Sequence, residues 1–86
     1  MNKYRGEPDE TIDLHGLTRL EVEQALDELF AEDGHSHVRI ITGKGMHSEN
    51  GPVLRTFVME YLTARGISYN RSKIQDGGEG ALEAFL

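Results

Sequence analysis

The sequence contains no cysteine, so neither a disulfide nor a thiolate metal site can stabilise its fold. It has no apolar run near the length of about 18 residues that a membrane-spanning helix needs. The polar start, Met1 to Arg5, lacks the apolar centre of a secretory signal. With 86 residues there is room for a single domain around one modest core. We therefore expect a cytoplasmic monomer without a membrane partner.

Basic residues are fewer than acidic ones, and the formal net charge is -6. This balance at first argues against nucleic acid, because Lys and Arg supply most of the affinity for phosphate. The charge is segregated, however: residues 7 to 33 carry ten acids and one base, whereas residues 35 to 74 carry six bases and two acids. The second segment can therefore form a basic face, although a solvated acidic helix explains the same pattern.

Aromatic residues are also scarce, with three Phe and three Tyr. Tyr61 falls in a helical apolar stripe and is predicted to lie in the core. Tyr69, in a predicted strand, is then the tyrosine that can contact the bases of a nucleic acid. Sequence-specific recognition of bases is therefore not expected. His35 and His37 alternate at the start of another predicted strand and are interpreted as surface polar residues.

The hydrophobic periodicity predicts the order β-α-β-α-β-β. Strands are predicted at Thr11 to Leu14, Val38 to Thr42, Ile67 to Arg71 and Ala81 to Leu86, and helices from Thr18 to Glu32 and from Pro52 to a C′ glycine at Gly66. Residues 1–10 are interpreted as a flexible N-terminal tail or linker. Such alternation favours a parallel core with an antiparallel last strand. We expect an α/β two-layer sandwich, a four-stranded mixed sheet with both helices on one face.

The loop after the first predicted strand carries Asp13 and His15. A carboxylate beside an imidazole can orient the ring and raise its basicity, which suits a general base for the 2′-hydroxyl of RNA. Equally, Asp13 can cap the loop while His15 lines its surface. The loop leads into Thr18-Arg19-Leu20-Glu21, which has the pattern of a helix capping box.

The loop after the second predicted strand contains Gly43, Lys44 and Gly45. Two glycines let the backbone approach a phosphate, and Lys44 adds a charge, with Ser48 as a further capping or phosphate-contacting hydroxyl. The spacing is not that of a P-loop, and a tight turn explains it too. Because both loops follow parallel strands, they should meet at the carboxyl edge of the sheet, beside two helix N-termini that favour anions.

Metal-dependent cleavage has less support, because two-metal chemistry needs several clustered carboxylates. Only Asp13 can be placed at this edge, with Glu49, Asp76 and Glu79 as loop candidates. No metal ligand is assigned, and the binding of one loosely held Mg²⁺ or Mn²⁺ is an alternative that the sequence leaves open.

Three motifs together resemble the small MutS-related (Smr) domain family. They are Ile12 to Gly16 (Ile-Asp-Leu-His-Gly) before an amphipathic helix, Ile40 to Ser48 with Gly51 to Leu54 opening the next helix, and Asp76 to Leu82 before the last strand. They occur in the family's order and cover residues 11–86, the extent of the predicted Smr-like domain. Ile12 replaces the usual leucine, and Thr42 stands where many members have histidine.

The resemblance implies an endonuclease that cleaves RNA or nicks DNA. Together with the scarcity of aromatic residues, it leads us to expect that the substrate is selected by structure rather than by sequence. It assigns the catalytic acid and histidine to Asp13 and His15. The residues expected to contact substrate are Gly16, Thr42, Gly43, Lys44, Gly45, His47 and Ser48. The alternative is a module that binds nucleic acid or a ribosomal surface without cleaving it.

Overall fold

The computed structural model of the chain describes residues 7–43, 51–72 and 80–86. The elements are β1 (Glu10–Asp13), α1 (Arg19–Ala31), β2 (His37–Ile41), α2 (Gly51–Ala64), β3 (Ser68–Arg71) and β4 (Ala81–Phe85). Their order is the predicted one, and their bounds differ from the predicted bounds by at most one residue. Within the described ranges, neither helix has the length and apolar character needed to cross a membrane.

The four strands form one mixed sheet in the order β1-β2-β4-β3. β1 and β2 are parallel, whereas β4 lies between β2 and β3 and is antiparallel to both. Both helices pack on one face, so the predicted two-layer α/β sandwich is confirmed. The parallel pairing places the carboxyl ends of β1 and β2 side by side, which positions the two loops of interest.

The hydrophobic core lies between the helices and one face of the sheet. Its buried members are Leu14, Val22, Leu26, Leu29, Val38, Ile40, Leu54, Val58, Leu62, Leu82 and Ala84. Val38 and Ile40 alternate along β2 with residues that face the other side, as strand geometry requires. The predicted core residue Tyr61 is partly buried against this cluster and stacks on Phe30, with ring centroids 6.2 Å apart.

The start of α1 has the predicted capping box. The Thr18 hydroxyl accepts a hydrogen bond from the backbone N–H of Glu21 at 3.2 Å, and the backbone N–H of Thr18 donates to Glu21 Oε1 at 2.9 Å. Two amides that a helix leaves unpaired are thereby satisfied. The box fixes where the chain leaves the loop after β1 and enters α1.

Residues just before β1 are tied to the sheet. The backbone N–H of Asp9 donates to the carbonyl of His37 at 2.9 Å, and the Asp9 carboxylate accepts from the backbone N–H and the hydroxyl of Ser36. β1 itself begins at Glu10, one residue before the predicted start of the domain. Residues 1–6 of the predicted tail lie outside the described residues.

The sheet face opposite the helices carries a buried polar network centred on Glu83 of β4. Its carboxylate accepts from His37 Nε2 at 2.5 Å, from Arg39 Nε at 2.6 Å and from the Ser72 hydroxyl. Burial of Glu83 raises its pKa, but these hydrogen bonds from Ser72, Arg39 and His37 outweigh that effect and hold the pKa below its usual range.

The interpretation of His37 as a surface residue is wrong. His37 is only 7% exposed, and its ring stacks on Phe85 with centroids 4.7 Å apart. A buried imidazole needs a hydrogen-bond partner, and the Glu83 carboxylate supplies one from a strand 46 residues further along the chain. His35 lies two residues before the start of β2, where its Nε2 contacts Glu32 Oε1 at 3.1 Å.

Candidate functional site

The loops after β1 and β2 meet at the carboxyl edge of the sheet. Past the end of β1, the backbone N–H of Leu14 donates to the carbonyl of Ile41 at 2.7 Å, which extends the parallel ladder by one bond. His15 and Gly43 follow this bond directly and are neighbours in space. The predicted convergence of the two loops is therefore present in the part of them that the structure describes.

Asp13 and His15 form a side-chain pair at this edge. His15 Nδ1 lies 2.6 Å from Asp13 Oδ1, and the backbone N–H of His15 donates to the same oxygen at 3.1 Å. These two hydrogen bonds, the side-chain one first, hold the pKa of the Asp13 carboxyl below its usual range. Asp13 is therefore ionised at neutral pH, and it holds His15 by both its ring and its backbone.

The pairing decides which ring nitrogen of His15 is available for chemistry. An ionised carboxylate only accepts hydrogen bonds, so the proton of the neutral ring resides on Nδ1 and the lone pair on Nε2. Within the described residues no hydrogen bond involves Nε2, and the His15 side chain is 69% exposed. This geometry is that of an oriented general base that is open to an incoming substrate.

Gly43 fits against His15 in a way that other residues would not. Its φ is +85°, and a Cβ added there would lie 3.3 Å from the Cβ of His15. Its backbone N–H, together with that of Thr42, donates to the carbonyl of Gly80 at 3.0 and 2.8 Å. The glycine predicted to approach a phosphate thus also leaves room for His15. Gly16 has a φ of +84° with open space around it.

The structure does not support direct substrate contact by the Thr42 side chain. Thr42 is 1% exposed, and its hydroxyl faces the carbonyl of Gly80 at 3.4 Å. The reason is strand parity, because Thr42 follows Val38 and Ile40 on the face that the helices cover. The remaining predicted substrate contacts, namely Lys44, Gly45, His47 and Ser48, lie outside the described residues.

Ion pairing removes two cations from the predicted basic face. Arg39 donates to Glu83, and Arg65 Nη2 lies 2.8 Å from Asp27 Oδ1 while its Cζ sits 4.4 Å from the Tyr61 ring centroid. The segregation of charge along the sequence therefore overstates the positive potential of the second segment, since partners from other elements neutralise part of it.

One cation near this edge was not singled out by the motifs. Arg19 is the first residue of α1, and its Cζ lies 4.9 Å from the centroid of the Phe57 ring on α2. The signal for it in the sequence is a base in the first turn of a helix, where the macrodipole disfavours positive charge. Arg19 is also the single base among residues 7 to 33.

The described residues do not form a complete donor set for Mg²⁺ or Mn²⁺. Across residues 7–43, 51–72 and 80–86, no group of three or more His, Asp or Glu side chains converges as a divalent ion requires. In the described part of the candidate site, Asp13 and His15 are the side chains of this type. The loop candidates Glu49, Asp76 and Glu79 lie outside the described residues.

The chain is similar to known proteins over nearly its whole length. The family model described as the Smr domain matches residues 12–86. A 39% identical stretch of an Smr domain-containing protein of Schizosaccharomyces pombe covers 81% of this chain and 35% of that protein. An uncharacterized protein of Treponema pallidum is 42% identical over 66% of this chain and 30% of its own length. The chain thus spans about a third of the length of these curated relatives.

Solved structures show the same similarity. The Smr domain of Thermus thermophilus MutS2 is 34% identical, with a TM-score of 0.69 over 90% of this chain and 96% of that domain. The human small-MutS related domain is 27% identical, with a TM-score of 0.60 over 87% of this chain and 98% of that one. Family model, relatives and structures agree, and the chain belongs to the Smr domain family.

Proposed function

We propose that this domain is a nucleic-acid endonuclease in which His15, oriented by Asp13, acts as the general base. The observation that carries the proposal is the 2.6 Å contact between His15 Nδ1 and Asp13 Oδ1, which orients an exposed ring and leaves Nε2 as the nitrogen that a substrate can reach. The Smr family, which is related to nucleases and found in nucleic-acid-binding contexts, supports the same substrate class.

With RNA as substrate, the chemistry needs no nucleophile beyond the substrate itself. His15 Nε2 removes the proton from a 2′-hydroxyl, the oxygen attacks the adjacent phosphorus, and the bond from phosphorus to the 5′-oxygen breaks. The proton returns from the imidazolium, directly or through water, to the departing 5′-oxygen. The products are a 2′,3′-cyclic phosphate and a 5′-hydroxyl. The Asp13 carboxylate stabilises the imidazolium that forms between the two transfers.

With DNA as substrate, the same base would activate a water molecule. The sugar then offers no internal nucleophile, so the water oxygen would attack the phosphorus, one P–O ester bond would break, and the departing sugar oxygen would take up the proton. The products would carry a phosphate monoester on one end and a hydroxyl on the other. Lys44 and the backbone amides of the second loop are proposed to bind the phosphate in either case, because cations and amides stabilise charge on phosphoryl oxygens. Few exposed aromatic side chains are available for base contacts, which favours selection by substrate structure.

The test is the cleavage of single-stranded RNA and of branched DNA by the wild type, Asp13→Ala and His15→Ala. His35→Ala is the matched control, because it removes an imidazole at the opposite end of the sheet. We expect both site variants to lose cleavage and the control to retain it. Equal rates in all four proteins would refute the catalytic assignment, and the product ends distinguish the RNA route from the DNA route.

A non-catalytic binding module is the second candidate function. It is favoured by the incomplete metal donor set among the described residues and by the acidic overall charge. Such a module would bind structured nucleic acid or a ribosomal surface. Salt-dependent RNA binding that Lys44→Ala abolishes, without cleavage under any condition, would select this function over the endonuclease.

A further inference from the structure

Arg19 is a cation at the carboxyl edge of the sheet that the family motifs leave unexplained. It opens α1, directly after the capping residue Thr18 and four positions after His15. Its guanidinium carbon lies 4.9 Å from the centroid of the Phe57 ring, which is the geometry of a cation–π contact. The ring therefore holds an exposed, flexible side chain in one place beside the site.

The charge of Arg19 is not neutralised within the described residues. Glu23 lies four positions further along α1, at the spacing that favours an ion pair, yet Arg19 contacts Phe57 instead. Arg39 and Arg65 differ in this respect, because each donates to a carboxylate. Among the described residues, an aromatic ring rather than a carboxylate therefore holds the Arg19 guanidinium.

The position of Arg19 is unfavourable for the helix but favourable for an anion. A cation in the first turn opposes the helix macrodipole, whereas an anion bound there gains from both the dipole and the guanidinium. A guanidinium also presents paired donors that match two phosphate oxygens. The helix macrodipole therefore disfavours an arginine at this position, whereas a bound phosphate would favour it.

The distance to the candidate base suits a neighbouring phosphate. Four residues of chain limit the separation of the Cα atoms of His15 and Arg19 to about 14 Å. Stacked nucleotides advance by about 3.4 Å each along a strand. A strand that presents one phosphate to His15 therefore has further phosphates within reach of Arg19.

We propose that Arg19, held by Phe57, binds a backbone phosphate next to the one at which cleavage occurs. This inference rests on the proposed function of the Asp13 and His15 pair as the cleavage site. Arg19 positions the strand, so its loss weakens binding and raises KM, while kcat at saturating substrate changes little.

The experiment compares Arg19→Gln with Arg65→Gln. Arg65 is a matched control because it too stacks on an aromatic ring of α2, but it follows the last residue of that helix and is paired with Asp27. Binding of a short fluorescently labelled single-stranded RNA, and of DNA of the same sequence, is measured by anisotropy over a range of salt concentrations. Melting temperatures are recorded for both variants.

We expect Arg19→Gln to weaken binding about tenfold, as the loss of one charge-assisted contact predicts. The slope of log K against log salt should fall by about 0.7, which corresponds to one phosphate on a single strand. Arg19→Lys should restore the slope but only part of the affinity, since lysine keeps the charge without the planar fork. Arg65→Gln should change neither affinity nor slope.

Several results would overturn the inference. Equal binding by Arg19→Gln and Arg65→Gln, with cleavage intact, would refute the role of Arg19 and leave the endonuclease standing. A lower melting temperature for Arg19→Gln with unchanged binding would make Arg19 a structural contact. Weaker binding without cleavage by any variant would support Arg19 while refuting the endonuclease. A wild type that binds neither RNA nor DNA at low salt would refute both.

Discussion

Replacing Glu83 by glutamine should strongly destabilise the domain. The Glu83 carboxylate accepts hydrogen bonds from His37, Arg39 and Ser72. Glutamine keeps one acceptor oxygen and turns an amide N–H₂ toward the remaining donors. The Arg39 side chain is 17% exposed, so much of its charge would stay buried after the loss of the Glu83 carboxylate. In the network on the sheet face opposite the helices, some hydrogen-bond donors would then lack an acceptor.

The expected cost follows from these contacts. A hydrogen bond to a charged group contributes about 1.5–3 kcal/mol, and breaking a buried ion pair costs about 3–5 kcal/mol. Because Arg39 keeps some access to water, we expect the free energy of unfolding of Glu83→Gln to fall by about 3 kcal/mol. For a domain of this size that corresponds to a loss of roughly 12–24 °C in melting temperature.

The assay is urea unfolding followed by far-UV circular dichroism, with Glu28→Gln as the matched control. Glu28 is exposed on α1, so its substitution makes the same change in charge without touching the network. A midpoint that falls for Glu83→Gln at unchanged m-value reports stability alone. If the two variants unfold within about 1 kcal/mol of each other, the network does not stabilise the fold as described.

The wild type and Glu83→Gln should also differ in how their stability depends on pH, and the sign of that difference can be predicted. The pKa of Glu83 is lowered in the folded state, so its contribution to stability is present above about pH 4.3, the ordinary pKa of a glutamate. It is lost as the pH falls through the lowered folded-state pKa. The stability difference between wild type and Glu83→Gln should therefore narrow progressively below about pH 4.3. A difference that widens there would contradict the assignment.

Three further predictions concern the loops and the chemistry. Thr18→Ala should lower the free energy of unfolding by about 1 kcal/mol through loss of the capping box, as chemical denaturation can show. Gly43→Ala should cost about 1–2 kcal/mol because of its positive φ and, by crowding His15, should reduce cleavage; a fully active, equally stable variant would contradict the packing. RNA cleavage should continue in EDTA, whereas its abolition and rescue by Mg²⁺ would point to a metal.

Local patterns in the sequence predicted most of the fold. The capping box at Thr18, the apolar stripes and the glycines placed each element within one residue, because these signals depend on neighbours along the chain. The order β-α-β-α-β-β then restricted the topology to a sheet in which β1 and β2 are parallel. That restriction was enough to bring Asp13 and His15 beside Gly43.

Contacts between distant segments could not be predicted in this way. The sequence predicts His37 to be a surface residue. Its burial depends on Glu83, 46 positions away, which the antiparallel pairing of β2 and β4 places beside it. Arg39 likewise contributes to the basic face that the sequence predicts, whereas in the structure the same carboxylate neutralises its charge. Thr42 could have been recognised as buried, since it continues the inward alternation of Val38 and Ile40.

The most direct test of the central claim is a double-mutant cycle on Asp13 and His15, measured as single-turnover cleavage rates of the preferred nucleic acid. If Asp13 acts by orienting His15, Asp13→Asn slows cleavage, His15→Ala slows it at least as much, and the double variant is no slower than His15→Ala alone. Losses that multiply in the double variant, or a His15→Ala protein as fast as the wild type, would contradict the account.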